Sequence, residues 1–281
     1  MTKSFSRTTK PLSLLACQAS IPSTPSASER DSHVAALCQR VAQSLQGGAP
    51  VDLIVLPELC TIEYGAGAFA HLDELAEPLA GISTEAFARL AQTTGAMVIF
   101  GLARSTERGY VISQVIVDRS GQVVDCYDKM HLCHYGASSE KDYFHAGDKI
   151  VIFESNGWRI APIICYDIRI PELSRTLAVE HGVDLLLHCG AYFRDESFSS
   201  WHHFAITRAM ENQVYLLSLN RAGVDYGGSI FCPPWIDDDQ PAQYFAGRDE
   251  DFRILKLDSD LLVQVRSRYT FLTDRRSAYQ P

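Results

Sequence analysis

The chain has 281 residues, 46% of them hydrophobic and 21% charged, which is enough apolar content for a core and too much for a disordered polypeptide. Its 25 basic residues face 34 acidic ones, a net charge of −9 with no basic stripe, which argues against nucleic acid as a partner. No apolar run nears the roughly 20 residues that span a bilayer, so no membrane partner is expected and residues 1–281 read as one soluble globular domain.

The N-terminal stretch MTKSFSRTTKPLSLLACQAS sets basic residues before a short apolar run ending in Leu-Ala-Cys, loosely like a lipoprotein signal. Leu12–Cys17 is shorter than the roughly 7–15 residues of a signal core, and a polar Ser/Pro-rich segment follows, so a first β-strand is expected there. Ser28 opens a helix to about Leu45, with Val34, Leu37, Cys38 and Val41 on one face. Val51–Leu56 is a buried-type strand ending at Pro57-Glu58. Ser83 is placed to cap a helix that ends near Gly95, and the strand Ala96–Leu102 follows. Tyr110–Val117 and Gln122–Tyr127, joined by Asp118-Arg119-Ser120-Gly121, read as a hairpin. Trp158–Cys165 is another buried strand, and Pro171 starts a helix at a position where the missing N–H costs nothing. Val183–His188 and Val214–Leu219 read as strands around a helix over Ser197–Met210, and the remainder reads mostly as short strands. The alternation predicts an α/β fold, mixed sheets with helices on their outer faces.

Eight cysteines are spread over the chain with no C-x-x-C pair, which excludes a zinc knuckle or thioredoxin-like motif. Several, such as Cys189 in VDLLLHCG, sit in apolar runs where a reduced thiol packs as a small hydrophobe, the pattern of a cytoplasmic protein. In α/β folds, polar residues just past the C-terminal ends of buried strands are the first site candidates. Three stand out: Glu58, Lys129 and Cys165. Singly, each has a plainer reading, as a solvated loop carboxylate, a surface charge and a packing thiol. Together they suit acyl transfer through a thioester. A carboxylate takes the thiol proton, an ammonium stabilises the developing oxyanion, and the turn after Cys165 points backbone N–H groups at it.

The segments LPELCTIEYG, YDKMHL, EKDYFHAGD, ICYDIRIPEL and RAMENQVYLLSLNR resemble, in order, the signature blocks of the nitrilase superfamily of carbon–nitrogen hydrolases. They spread from residue 56 to 221. The resemblance implies a four-layer α-β-β-α sandwich that forms a homodimer or higher homo-oligomer, and a Glu–Lys–Cys triad matched by Glu58, Lys129 and Cys165. It further implies that Glu58 is the general base and Cys165 the nucleophile, and that Lys129 and the Tyr166 N–H stabilise the tetrahedral intermediate. Glu140 matches a second glutamate that positions the lysine, with a loop charge as its alternative. His131 matches a structural histidine. Tyr64 matches an aromatic residue beside the pocket, or is an ordinary core tyrosine. No metal or organic cofactor is expected.

Two stretches depart from the family pattern. Cys189-Gly190 stands where many relatives have Pro-Gly beside the pocket, and GGSIFCPPW replaces a late Gly/Pro turn. ICYDIRIPEL is more similar to the ω-amidase version of the nucleophile block than to that of nitrilases, so the substrate is expected to be a small amide. An N-carbamoyl amino acid or amine is the alternative, as is a catalytically silent binding member of the fold. A substrate carboxylate calls for a basic group, for which Arg194 is the candidate, unless it pairs with Asp195 or Glu196 in a solvated loop. Two rival hydrolase types lack support. No histidine has a context that pairs it with Cys165. His202-His203 or His131 with His134 would have to hold a metal without an HExxH motif or carboxylate partner.

Overall fold

The computed structural model describes residues 10–276 and 278; Lys3 and Arg7 of the signal-like N-terminus lie outside them. The first apolar run becomes β1 (Leu12–Gln18), the second β2 (Leu53–Val55). Parallel pairing of β1, β2 and β3 (Met97–Thr106) makes the centre of one sheet. The hairpin strands β4 (Gly109–Val117) and β5 (Val123–Asp128) extend it antiparallel on one side. The second sheet repeats the plan. Its edge strand β6 (Phe153–Ser155) pairs antiparallel with β7 (Trp158–Ile164), which leads the parallel trio completed by β8 (Leu185–Cys189) and β9 (Tyr215–Leu219). Antiparallel β10 (Ile230–Cys232) and β11 (Gln243–Tyr244) close its other side. The last strand, β12 (Asp251–Leu257), returns to the first sheet beside β1.

Period-two alternation gives the inner strands β1, β2 and β3 of the first sheet two buried faces. Leu12, Leu14 and Ala16 of β1 join a core shared with Ile160, Leu185 and Leu217 of the second sheet. Leu15 and Cys17 turn the other way, onto Val34, Leu37 and Val41 of α1 (Ala27–Ser44) and Phe87 and Leu90 of α2 (Ile82–Thr94). Beyond the second sheet, after the short α3 (Pro171–Arg175), α4 (Phe198–Asn212) packs over β9 and β10 and buries Trp201, Ala205 and Ala209. The order is helices, sheet, sheet, helices, the expected four-layer sandwich. Among the described residues no helix is long and apolar enough to cross a membrane.

The local differences have physical causes. Ser83 does not cap α2. Gly81 occupies the cap position, and the buried carboxylate of Glu77 accepts the Ser83 N–H at 3.0 Å in place of a cap side chain. The C-terminal part also holds a helix, α5 (Ser259–Arg268), where short strands were expected. The Asp258 carboxylate caps it, accepting the Asp260 N–H, and Leu262 and Val265 form its buried face at a spacing of three. Cys165 leaves the strand pattern and begins a 3-10 turn over Cys165–Arg169.

Two glycines set how closely the sheet ends and loops approach. A Cβ on Gly101 of β3 would overlap the Pro57 carbonyl oxygen and the Leu59 nitrogen, and one on Gly147 would overlap the Asp128 carbonyl oxygen. These contacts press the segments carrying Glu58 and Lys129 against the sheet. Gly101→Ala should therefore cost about 2 kcal/mol or more, because backbone cannot yield as a flexible side chain does. Urea unfolding of the variant with an unchanged midpoint would contradict this packing.

Candidate active site

The sandwich places three sheet-end loops at one point. Glu58 follows β2 and Lys129 follows β5 in the first sheet, while Cys165 follows β7 in the second. Lys129 Nζ donates to Glu58 Oε1 at 2.7 Å and to Glu140 Oε1 at 2.6 Å, with all three side chains fully buried. Their burial excludes a solvated loop carboxylate at Glu58, a surface charge at Lys129 and a loop charge at Glu140. Glu140, at the start of a 3-10 turn (Glu140–Asp142), is further held by the Tyr64 hydroxyl at 2.7 Å and the Cys133 N–H at 2.9 Å. The remaining oxygen of Glu58 accepts the N–H of Ala191, just past β8, at 2.8 Å, so the carboxylate ties the two sheets together.

Burial decides the protonation states. It is the largest influence on Glu58 and lifts its carboxyl to about 7 even though the Lys129 ammonium pulls the other way. Burial alone would lower the Lys129 ammonium, but the charges of Glu140 and Glu58 outweigh it and hold it well above its ordinary value. The Cys165 thiol is pushed well up, first by burial and then by the Glu58 charge, with Lys129 opposing. A resting thiol beside a carboxyl that titrates near neutrality is a pair made for proton exchange, not a preformed thiolate.

Cys165 has φ +45° and Leu59, next to Glu58, has φ +47°. A left-handed non-glycine residue costs of order 1–3 kcal/mol and persists only where its surroundings hold it. At Cys165 the holding group is Asp167, a buried carboxylate that accepts four hydrogen bonds. The Ile164 N–H (2.9 Å) and Tyr127 hydroxyl (2.7 Å) reach one oxygen; the His131 N–H (3.0 Å) and Nδ1 (2.7 Å) reach the other. Asp167 thus couples the turn that begins at Cys165 to the segment carrying Lys129, and His131 serves that bridge. The 3-10 turn begins at Cys165, so the N–H groups of its first residues have no partner within the turn.

Above Cys165 opens a narrow cleft with about 370 Å³ of atom-free space, mouth included. Tyr64, Tyr166, Tyr135, Tyr192, Arg169 and Asp195 are among its walls. Arg194 is not. Its guanidinium donates to the carbonyls of Tyr226 and Gly247 and lies 4.3 Å from the Phe198 ring, so it ties loops together and pairs with neither Asp195 nor Glu196. The basic group in the cleft is Arg169, four residues after Cys165. Its contacts to Ser200 Oγ (3.4 Å) and the Ser197 carbonyl (3.5 Å) are long, leaving its donors available. Asp195 is committed elsewhere, to the N–H and hydroxyl of Ser197 and the Ala137 N–H. His202 bonds the Gly228 carbonyl, and among the described residues no group of three or more His, Cys, Asp or Glu could hold a metal ion.

Further residues matter that the sequence did not single out. Arg221, 1% exposed, donates to the carbonyls of Leu59 and Ile62 and fixes the turn after Glu58. The Asn220 amide holds both the N–H and the carbonyl of Tyr192. Both lie in the segment RAMENQVYLLSLNR, where two polar residues directly after a buried strand were the available signal.

Residues 15–239 match the carbon-nitrogen hydrolase family, so the chain belongs to it. It is 32% identical to an (R)-stereoselective amidase of a Pseudomonas species, over 80% of each chain. It is 33% identical to the omega-amidase YafV of Escherichia coli strain K12, over 66% of this chain and 68% of that one. Among solved structures, a CN-hydrolase superfamily protein from Xanthomonas campestris superposes with a TM-score of 0.81 at 24% identity, covering 97% of this chain and 100% of the other. The last comparison speaks for the fold alone.

Asp167→Asn puts an amide N–H₂ against donors, which should cost roughly 3 kcal/mol because charge-assisted bonds are lost and buried donors stranded. Asp167 also raises the His131 pKa. That contribution to stability is present below the unfolded value and lost as pH rises through the folded one. In Asp167→Asn the His131 resonance should titrate at a lower pH than in wild type; an unchanged titration in the NMR spectrum would show that the bridge does not form.

Proposed function

We propose that the protein is a thiol amidohydrolase that releases ammonia from the terminal amide of a small carboxylate-bearing compound. The observation carrying this reading is the buried Glu58–Lys129–Glu140 cluster, with bonds of 2.7 and 2.6 Å, beside a thiol at the floor of a cleft. Glu58 takes the Cys165 proton as Sγ attacks the amide carbon. Lys129 Nζ and the Tyr166 N–H receive the oxyanion. The intermediate collapses, the proton passes from Glu58 to the departing ammonia, and a thioester remains. Glu58 then activates water, which cleaves the thioester to a carboxylic acid and returns the thiol. Glu140 acts by holding Lys129 in place.

The amide reading stands before the carbamoyl one because the relatives described above are amidases, one of them an omega-amidase. The distal carboxylate of such a substrate is matched by Arg169 in the cleft, whereas Arg194 is spent on loop carbonyls. The eight cysteines are all free thiols, which suits a reducing cytoplasm. A homodimer built from one-domain subunits completes the proposal, to be checked by sedimentation equilibrium.

Succinamate, a dicarboxylic monoamide, is a suitable first substrate. Cys165→Ala and Lys129→Met should each lower ammonia release by roughly a thousandfold or more, the scale of losing a nucleophile or an oxyanion partner. Retained turnover in either would remove that residue's assigned role. Arg169→Leu should raise KM for succinamate and leave that for an uncharged amide such as butyramide unchanged; an equal change for both would reject the carboxylate contact. Because Glu58 must be ionised to act as base, kcat/KM should rise through an acid limb near its pKa of about 7. A limb near the ordinary carboxylate range instead would contradict that role.

A further inference from the structure

Behind Cys165 lies a set of buried side chains that the acyl-transfer scheme does not use. The carbonyl oxygen of Cys165 accepts two hydrogen bonds, from the Tyr192 hydroxyl and from His188 Nε2, each at 2.9 Å. A carbonyl cannot donate, so Nε2 of His188 carries the proton, and in the neutral ring Nδ1 must accept. Its partner is Ser218 Oγ at 2.6 Å, on the strand paired with β8 in a register that sets His188 opposite Ser218. The Ser218 oxygen in turn accepts the indole N–H of Trp201 at 2.7 Å. His188, Ser218 and Trp201 are fully buried, and burial lowers the His188 pKa to about 4, keeping the ring neutral. The hydrogen bonds therefore run in one direction: Trp201 N–H to Ser218, Ser218 O–H to His188, His188 N–H to the Cys165 carbonyl.

That carbonyl shares a peptide group with the N–H of Tyr166. In a trans peptide the two point opposite ways, so fixing the C=O on His188 and Tyr192 also fixes the direction of the N–H. Hydrogen bonds in series polarise one another, by roughly 10–30% per bond, and two donors on the C=O make the N–H of the same peptide a stronger donor. We propose that His188 and Tyr192, backed by Ser218 and Trp201, are positioning residues that orient and polarise the Cys165–Tyr166 peptide so that its N–H stabilises the oxyanion. This assignment rests on the reading of Cys165 as the nucleophile. It also gives a use to an unpaired sequence feature, since a histidine and a tyrosine flank Cys189-Gly190, where the family pattern is altered.

The proposal separates two reactions of the same thiol. Amide hydrolysis passes through an oxyanion; modification by methyl methanethiosulfonate, in which the thiolate takes the CH3S group and methanesulfinate leaves, does not. Tyr192→Phe deletes one donor and keeps the ring, which stacks on Trp201 at 4.4 Å. His188→Leu deletes the other donor, and His188→Gln retains an N–H at a similar reach. The measurements are kcat and KM for succinamate hydrolysis and the second-order rate of Cys165 modification, followed by peptide mass mapping. The expected result for Tyr192→Phe and His188→Leu is a fall in kcat of about tenfold or more, with KM and the modification rate within about twofold of wild type. His188→Gln should recover part of the loss seen in His188→Leu. Ser218→Ala, which cuts the series upstream while leaving both donors, should show a smaller loss of the same kind and serves if the His188 variants fail to fold. Unchanged hydrolysis in Tyr192→Phe overturns the proposal. So does a modification rate that falls in step with hydrolysis, since the pair would then act on the thiol or the fold. Cys165→Ala in the same assay keeps the two levels apart: if it still hydrolyses succinamate, the nucleophile assignment is at fault.

Discussion

Two carboxylates and one ammonium sealed between two sheets constrain everything around them. Removing charges from water is expensive, and the cost is met only when geometry and hydrogen bonding are complete. Here Lys129 reaches both Glu58 and Glu140 at hydrogen-bond distance, and the other carboxylate oxygens take the N–H groups of Ala191 and Cys133. Because Glu58 and Lys129 come from one sheet while Ala191 and Cys165 follow strands of the other, the cluster is complete only when both sheets are docked in one register.

In the proposed mechanism the same cluster sets the chemistry. With Glu58, Glu140 and Lys129 all ionised its net charge is −1, and a thiolate at Cys165 would add a second buried negative charge. Burial and the neighbouring carboxylates keep the thiol protonated and draw the Glu58 carboxyl to about 7. One mobile proton can thus be shared between sulfur and carboxylate. A nucleophile that gives up its proton only on attack needs the oxyanion stabilised at that moment, by groups already in place. Lys129 is fixed by its two carboxylates, and the Cys165–Tyr166 peptide by the donors on its carbonyl.

Much of this was legible in the sequence, because the relevant signals are local. VDLIVLPE, YDKMHL and RIAPIICYD each end a strand with a chemically capable residue, and their order carried the family resemblance. The hairpin at Asp118–Gly121 and the helix start at Pro171 follow from turn and proline chemistry. What was not legible depends on distance in space. Glu77 replaces Ser83 at the start of α2 because a buried carboxylate six residues upstream folds back onto it. Arg194 looks like an anion binder from its position past a strand end, yet two loop carbonyls claim it. Arg169 was not singled out, because only the fold brings its segment to the cleft wall. The four bonds on Asp167 join residues 127, 131 and 164, a convergence no spacing announces.

The account stands or falls on a covalent bond between substrate and Cys165. Rapid quenching of the enzyme during succinamate turnover, followed by proteolysis and mass spectrometry, reads that bond directly. The account predicts a succinyl adduct confined to the peptide containing Cys165, labile to hydroxylamine as a thioester is. Turnover with no acyl adduct there, or with the adduct on another of the eight cysteines, would contradict it.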